Sequence, residues 1–212
     1  MLEQQRKMPW PFWAMTVFAA VIGVYGFVFA MGGGEVFYEG RDPAVGLAVA
    51  AAAITVHAVV GGLALLTGPA QFASGLRRRR PVVHRTLGRV HVAAALGTGL
   101  SGFFVAGFAE GGLGGRVGFA VLGVLTTTYA MLGFRSALRR RFGIHRQGMT
   151  RSFAMLLAAV SLRIQIPFLF MAFDGDETMV FAVVAWTCWV PNALIAEWLL
   201  RRRQTEIVVE WA

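Results

Sequence analysis

The dominant pattern in this sequence is a series of long apolar runs separated by short polar segments. A helix of about 20 apolar residues crosses the ~30 Å hydrocarbon core of a bilayer. Runs of this kind lie at about 11–31, 44–72, 86–109, 117–138, 150–173 and 178–200. Because little of the chain remains outside them, the pattern predicts an all-α integral membrane bundle of six transmembrane helices. We expect residues 1–212 to form a single polytopic membrane domain.

The composition agrees with this prediction and excludes several other classes. The chain is 57% hydrophobic and 15% charged, whereas about a quarter of the residues are charged in a typical soluble domain. No soluble catalytic domain is therefore expected. Cys188 is the only cysteine, which excludes an internal disulfide or a cysteine metal cluster. The first apolar run is too long and too aromatic for a signal peptide, so we expect a retained helix.

The net charge of +9 is concentrated in alternate loops. Basic residues lie before the first span, around the second and fourth loops and after the sixth span: Arg6, Lys7, Arg77, Arg78, Arg79, Arg80, Arg85, Arg89, Arg135, Arg139, Arg140, Arg141, Arg146, Arg151, Arg201, Arg202 and Arg203. The other loops are mostly acidic, with Glu35, Glu39, Asp42, Glu110, Asp174, Asp176 and Glu177 against Arg41 and Arg116. Basic loops stay in the cytoplasm, so both termini are predicted to be cytoplasmic. The basic loops should meet anionic membrane lipid, and no nucleic acid is expected.

A few polar residues lie inside the apolar runs. Arg163 is roughly 15 Å of helix from one end of the fifth span and roughly 20 Å from the other, and His57 lies near the middle of the second span. An arginine at this depth costs at least ~2.5–3.5 kcal/mol, so it should face the bundle interior and find acceptors. We expect these among Gln165, Asn192, Thr127 and the carbonyls that Pro167 and Pro191 release.

This group has two interpretations. No acidic residue lies at the same level, so the charge of Arg163 favours an electron-rich ligand group such as a carboxylate, a propionate or a quinone oxygen. The alternative is that Arg163 and its partners only lock the helices together. Stripes of small residues at helical spacing on the second and third spans should also face inwards, and they carry His57 and His91 with them.

A second polar group lies at the predicted cytoplasmic face. His84 and His91 are seven residues apart and share one face of the third helix, and His145 precedes the fifth span. Glu197 is the acid that lies close enough to neutralise the basic residues there. We expect it to form an ion pair with Arg85, Arg89 or Arg151, with proton handling as the alternative.

A haem between two histidines would require ligands on different helices. His84 and His91 share a helix, so His145 would be one iron ligand, with His91 or His84 opposite and His91 preferred because it lies deeper.

Several separated motifs resemble one family. They are His57-(x)3-Gly61 through Gly68-Pro69-x-Gln71-Phe72, His84-Arg85-(x)2-Gly88-Arg89, His145-Arg146-(x)2-Met149-x-Arg151-Ser152, and Trp186-x-Cys188-Trp189 through Glu197-Trp198. Together they resemble the bacterial membrane family catalogued as domain of unknown function 2306. The resemblance implies a multi-helix protein of the cytoplasmic membrane without an established activity. His91 stands where this family is expected to carry tyrosine, and Gly148 where tryptophan is expected.

Three classes of function follow from these residues. The most specific is the binding of a b-type haem or a quinone-like ligand in a redox role. The second is an accessory or assembly subunit of a larger membrane protein complex, which apolar, aromatic-rich spans also suit. The third is a small-molecule transporter, which kinked helices with polar residues at the membrane midplane suit. The lack of a visible repeat and of a midplane carboxylate weighs against coupled transport.

Overall fold

The computed structural model describes residues 10–32, 34 and 46–209. Within these residues the chain forms helices and no strand. The helices are α1 (Trp10–Gly32), α2 (Leu47–Phe72), α3 (Ser74–Arg79), α4 (Pro81–Ala106), α5 (Gly112–Leu138), α6 (Phe142–Leu156), α7 (Ala158–Ala172), α8 (Glu177–Thr187) and α9 (Val190–Val209). The charged residues Arg6, Lys7, Glu35, Glu39, Arg41 and Asp42 lie outside the described residues.

Among the described residues, six helical segments are long and apolar enough to cross a membrane. They are Phe12–Gly32, Leu47–Phe72, Pro81–Ala106, Gly112–Leu138, Phe142–Ala172 and Glu177–Arg202. The fifth segment consists of α6 and α7, and the sixth contains α8 and most of α9. The prediction of an all-α bundle with six transmembrane helices is confirmed.

Three spans begin earlier than the hydrophobic pattern predicts. The third begins at Pro81 rather than near residue 86, the fourth at Gly112 rather than near residue 117, and the fifth at Phe142 rather than near residue 150. Pro81 suits the first turn of a helix, where its missing N–H leaves no hydrogen bond unmade. These additional turns can carry histidine and arginine, since a helix does not have to end where the hydrocarbon ends. Hydropathy therefore finds only the part of each helix that lies in the hydrocarbon.

The fifth and sixth spans are both interrupted. Leu157 separates α6 from α7, and Cys188 and Trp189 separate α8 from α9. The interruption at Leu157 divides the fifth span into two parts with different neighbours. α6 packs chiefly against α5 and also against α9 and α2, whereas α7 packs chiefly against α8 and also against α1. The α6 half of the fifth span therefore lies in the centre of the bundle, whereas the α7 half lies at its periphery.

Glycines allow the central helices to approach at backbone distance. A β-carbon placed at Gly123 of α5 would lie 2.8 Å from the carbonyl oxygen of Gly99 of α4. One placed at Gly148 of α6 would lie 2.8 Å from the Cα of Gly133 of α5. The predicted inward direction of the small-residue stripes is confirmed for Ala64 of α2 and for Gly99, which are both buried. In lipid, close packing of this kind, rather than the hydrophobic effect, drives the association of helices.

Candidate functional site in the membrane-spanning region

Arg163 lies midway along α7, at the seam between α7 and α1. Its Nη1 donates a hydrogen bond to the carbonyl oxygen of Ala159, one turn earlier, at 3.0 Å. Its guanidinium carbon lies 5.1 Å from the centre of the Tyr25 ring of α1, a cation–π distance. Neither the Tyr25 nor the Arg163 side chain is covered by other parts of the protein. The guanidinium therefore spans the seam and faces its opening. The expectation that Arg163 faces the bundle interior is wrong, because its position on α7 directs it towards α1 and not towards α8 and α9.

His57 of α2 lies within electrostatic reach of this arginine. Its Nδ1 is 3.1 Å from the Oγ of Ser101 of α4. Because the Ser101 hydroxyl donates to the Gly97 carbonyl oxygen at 2.6 Å, the imidazole is the donor in the first bond. The ring packs on α4, where a β-carbon at Gly102 would lie 3.0 Å from His57 Cε1. The charge of Arg163 is close enough to act on this imidazole.

These four residues, Tyr25, His57, Ser101 and Arg163, come from four different helices and are called the mid-membrane cluster below. Tyr25 and Ser101 were not among the residues predicted from the sequence. Ser101 could have been found, because it lies next to the stripe of small residues on α4 that faces α2. Tyr25 carries no such signal, since its place beside Arg163 depends on how α1 packs against α7.

Three other predicted partners of Arg163 are bonded elsewhere in the structure. Gln165 Nε2 donates to the Thr187 carbonyl oxygen at 3.2 Å, and the Thr187 hydroxyl donates to Gln165 Oε1 at 2.6 Å. Asn192 Nδ2 donates to Ser161 Oγ at 3.1 Å and to the Cys188 carbonyl oxygen at 3.0 Å.

Thr127 lies on α5, where its hydroxyl donates to the Gly123 carbonyl oxygen at 2.9 Å. The expectation that these three side chains satisfy the guanidinium is corrected accordingly. On α7, residues 161 and 165 lie one turn apart and face α8 and α9, whereas residue 163 points to the opposite side of the helix.

A second polar contact joins α6 and α9. Arg151 Nη2 donates to Glu197 Oε2 at 3.0 Å, and Arg151 Nε donates to Glu197 Oε1. The guanidinium carbon also lies 5.9 Å from the centre of the Tyr129 ring. Of the three arginines expected as partners, the structure pairs Glu197 with Arg151. Arg85 Nε donates to the Pro81 carbonyl oxygen at 3.3 Å instead, and Arg89 is exposed.

The histidines near the arginine-rich end are held by different helices. His91 Nδ1 donates to the Ala64 carbonyl oxygen of α2 at 3.1 Å, and the His91 ring lies 6.2 Å from the ring of Phe153. His145 Nδ1 donates to the Gly133 carbonyl oxygen of α5 at 2.9 Å. His145 also lies within electrostatic reach of His84. His91 and His145 are thus bonded to the backbones of different helices, α2 and α5.

His91 is 1% exposed, and its neighbouring ring is that of Phe153. A haem between His145 and either His91 or His84 stays a prediction. Within the described part of the chain, no group of three or more His, Cys, Asp or Glu side chains could hold a metal ion.

The helices and these contacts define a multi-pass membrane protein whose polar residues lie between its spans. The family described as a predicted membrane protein (DUF2306) matches residues 54–200, and the chain belongs to this family. The match begins within α2 and ends within α9. It therefore covers His57, Arg163 and the Arg151–Glu197 pair, whereas Tyr25 precedes it. No curated protein and no solved structure matches the chain.

Proposed function

We propose that the protein binds a lipid-soluble quinone, or a ligand with a similar electron-rich oxygen, at the mid-membrane cluster and has a redox role. The observation that carries this proposal is that most N–H donors of the Arg163 guanidinium lack an acceptor among the described residues. The guanidinium has five N–H donors, and one hydrogen bond is found, which Nη1 donates to the Ala159 carbonyl oxygen. A guanidinium in hydrocarbon is stable only with further partners. A ligand oxygen at the seam between α1 and α7 would supply one.

The position of the cluster suits a ligand that arrives from the bilayer. The seam opens where Tyr25 and Arg163 are not covered by protein. In this proposal Arg163 holds the ligand oxygen, the Tyr25 ring keeps the guanidinium in place, and His57 adds a second polar group on the inner side. Ser101 orients the His57 imidazole through its hydrogen bond. The quinone itself supplies the electron-carrying chemistry.

The experiment compares quinone binding by the full chain and by Arg163→Gln in uncharged detergent. A short-chain ubiquinone analogue is titrated, and the quenching of tryptophan fluorescence gives the dissociation constant. We expect Arg163→Gln to bind about 10–100-fold more weakly, since a hydrogen bond to a charged group contributes about 1.5–3 kcal/mol.

Two matched variants make this test specific. Arg116→Gln removes an exposed arginine near the start of α5, outside the mid-membrane cluster, and should leave quinone binding unchanged. Tyr25→Phe keeps the aromatic face under the guanidinium and should weaken binding less than about 3-fold, because the ring rather than the hydroxyl holds the charge. Equal affinities for the parent chain and Arg163→Gln would refute the proposal.

We also propose that the protein lies in the bacterial cytoplasmic membrane with both termini in the cytoplasm. The support is the asymmetry of its loops. Residues 77–80 and 139–141 are all arginine, whereas the loops near residues 110 and 175 carry acidic residues. Lysine and arginine flank the loops that stay in the cytoplasm.

Reporter fusions test this orientation directly. Fusions after Arg80 and after Arg141 should show cytoplasmic activity of the reporter, and fusions near Gly112 and Gly175 should show activity on the outer side. The arginine distribution is the physical reason for each assignment. One reporter on the wrong side in this set would contradict the predicted topology.

A further inference from the structure

Three polar side chains lie at the arginine-rich end of the bundle, away from the mid-membrane cluster. Gln71 is near the end of α2, His84 is in the first turn of α4, and His145 is in the first turn of α6. The carboxamide of Gln71 packs against α4 at Gly88, where a β-carbon would lie 3.2 Å from Gln71 Oε1. His84 precedes Gly88 by one turn on the same face. Gln71 and His84 therefore adjoin each other across α2 and α4.

Two atoms of this group, Gln71 Nε2 and His84 Nδ1, are buried and have no hydrogen-bond partner among the described residues. Buried polar atoms nearly always have a partner, so each exception needs an explanation such as a ligand or an ion. The amide nitrogen donates only, and the imidazole nitrogen can donate when it carries a proton. One oxygen-rich ligand can therefore satisfy both atoms.

The charge around these atoms favours an anion. Arg77 and His145 lie within electrostatic reach of His84. Arg78, Arg79 and Arg80 follow Arg77 in sequence and are exposed. Among the described side chains, the carboxylate at this end of the bundle is that of Glu197, and both of its oxygens accept from Arg151. A cation would meet several arginines there and no free carboxylate, whereas an anion would meet donors and positive charge.

We propose that Gln71 and His84, with His145 and Arg77 beside them, form a binding site for a phosphate group. The group would come from a lipid head group or from a free phosphate. In either case its oxygens accept from Gln71 Nε2 and His84 Nδ1 and lie in the positive field of the arginine-rich end. The site is independent of the proposed quinone site, because the two share no residue.

The test measures the thermal unfolding midpoint of the full chain in maltoside micelles, which contain no phosphate. One arm adds inorganic phosphate, with chloride at equal ionic strength as the control. The other arm adds phosphatidylglycerol, with diacylglycerol as the control. A ligand that binds only the folded state raises the midpoint. We expect a rise of about 2–4 °C in at least one arm, the shift that a protein of this size shows on modest stabilisation.

Two variants and two controls decide whether the site causes the rise. Gln71→Leu removes a buried donor that has no partner, so it should fold, and it should show no rise. His84→Leu serves as the second variant with the same expectation. Arg139→Gln lowers the positive charge at this end without touching the site and should keep the rise. Arg163→Gln should also keep it, which separates this proposal from the quinone proposal.

Each outcome has a defined meaning. A rise with inorganic phosphate assigns a free phosphate, and a rise with phosphatidylglycerol alone assigns a lipid head group. No rise in either arm would overturn the proposal and would leave water as the partner of both atoms. An equal rise in Gln71→Leu and His84→Leu would also overturn it, because the arginines alone would then bind the anion.

Discussion

Gly123→Ala should lower the free energy of unfolding by about 2–3 kcal/mol, the upper part of the range for overpacking a tight core. The added β-carbon would lie 2.8 Å from the Gly99 carbonyl oxygen and 2.8 Å from the Phe103 backbone nitrogen. Both atoms belong to the backbone of α4, so neither can rotate away as a side chain would. α4 and α5 must separate, and the contacts around the crossing are lost. Reversible unfolding in mixed micelles with increasing denaturing detergent measures the change.

A second glycine provides the control for this substitution. Gly143 is also in a helix, but a β-carbon there would have no heavy atom within 4 Å. Gly143→Ala should therefore leave stability unchanged or raise it by at most about 1 kcal/mol, through the better helix propensity of alanine. If both variants change stability by the same amount, the close approach of α4 and α5 at Gly123 is not what stabilises this part of the bundle.

Glu197→Gln should also destabilise the protein, by about 2–3 kcal/mol. Removal of one partner from a buried ion pair leaves an uncompensated charge and costs about 3–5 kcal/mol. The expected loss is smaller here because 26% of the Arg151 side-chain surface and 38% of that of Glu197 are not covered by protein. The same unfolding measurement gives the change in free energy.

The control for this prediction removes both charges at once. The double variant Arg151→Met with Glu197→Leu leaves no unpaired charge between α6 and α9, so it should be more stable than Glu197→Gln alone. A loss below about 0.5 kcal/mol for Glu197→Gln would mean that the pair behaves like an exposed surface pair and contributes little.

The number and type of the spans could be predicted from the sequence because the requirement is set by the bilayer. Every backbone N–H and C=O must be bonded within the hydrocarbon, so a long apolar run there must form a helix. The interruption near Cys188 could also be anticipated from Pro191. The one at Leu157 could not, since the residues around it are ordinary helix formers. It depends on the neighbours of α6 and α7, which a pattern of apolar residues does not specify.

The candidate site was predicted only in part. The sequence identifies Arg163 and His57 because polar residues at that depth are rare. The hydrogen-bond partners of these two residues depend on the rotation of each helix about its axis. The assignment of Gln165 as a partner of Arg163 is an error that could have been avoided. Gln165 is two residues after Arg163, and residues at this spacing do not share a helix face. The assignment of Glu197 to Arg151, rather than to Arg85 or Arg89, required the packing of α6 against α9, which the sequence leaves open.

The bonds between Gln165 and Thr187 have a mechanical consequence for the bundle. Pro191 lacks the N–H that would bond the Thr187 carbonyl, and the carboxamide of Gln165 bonds this carbonyl instead. Gln165 itself lies two residues before Pro167, where α7 has lost a bond of its own. The stretch of α7 near Pro167 is thus hydrogen-bonded to the junction of α8 and α9, and both stretches lack a backbone hydrogen bond. Any bending of α7 at this level must carry the junction of α8 and α9 with it, so these helices should move as one unit.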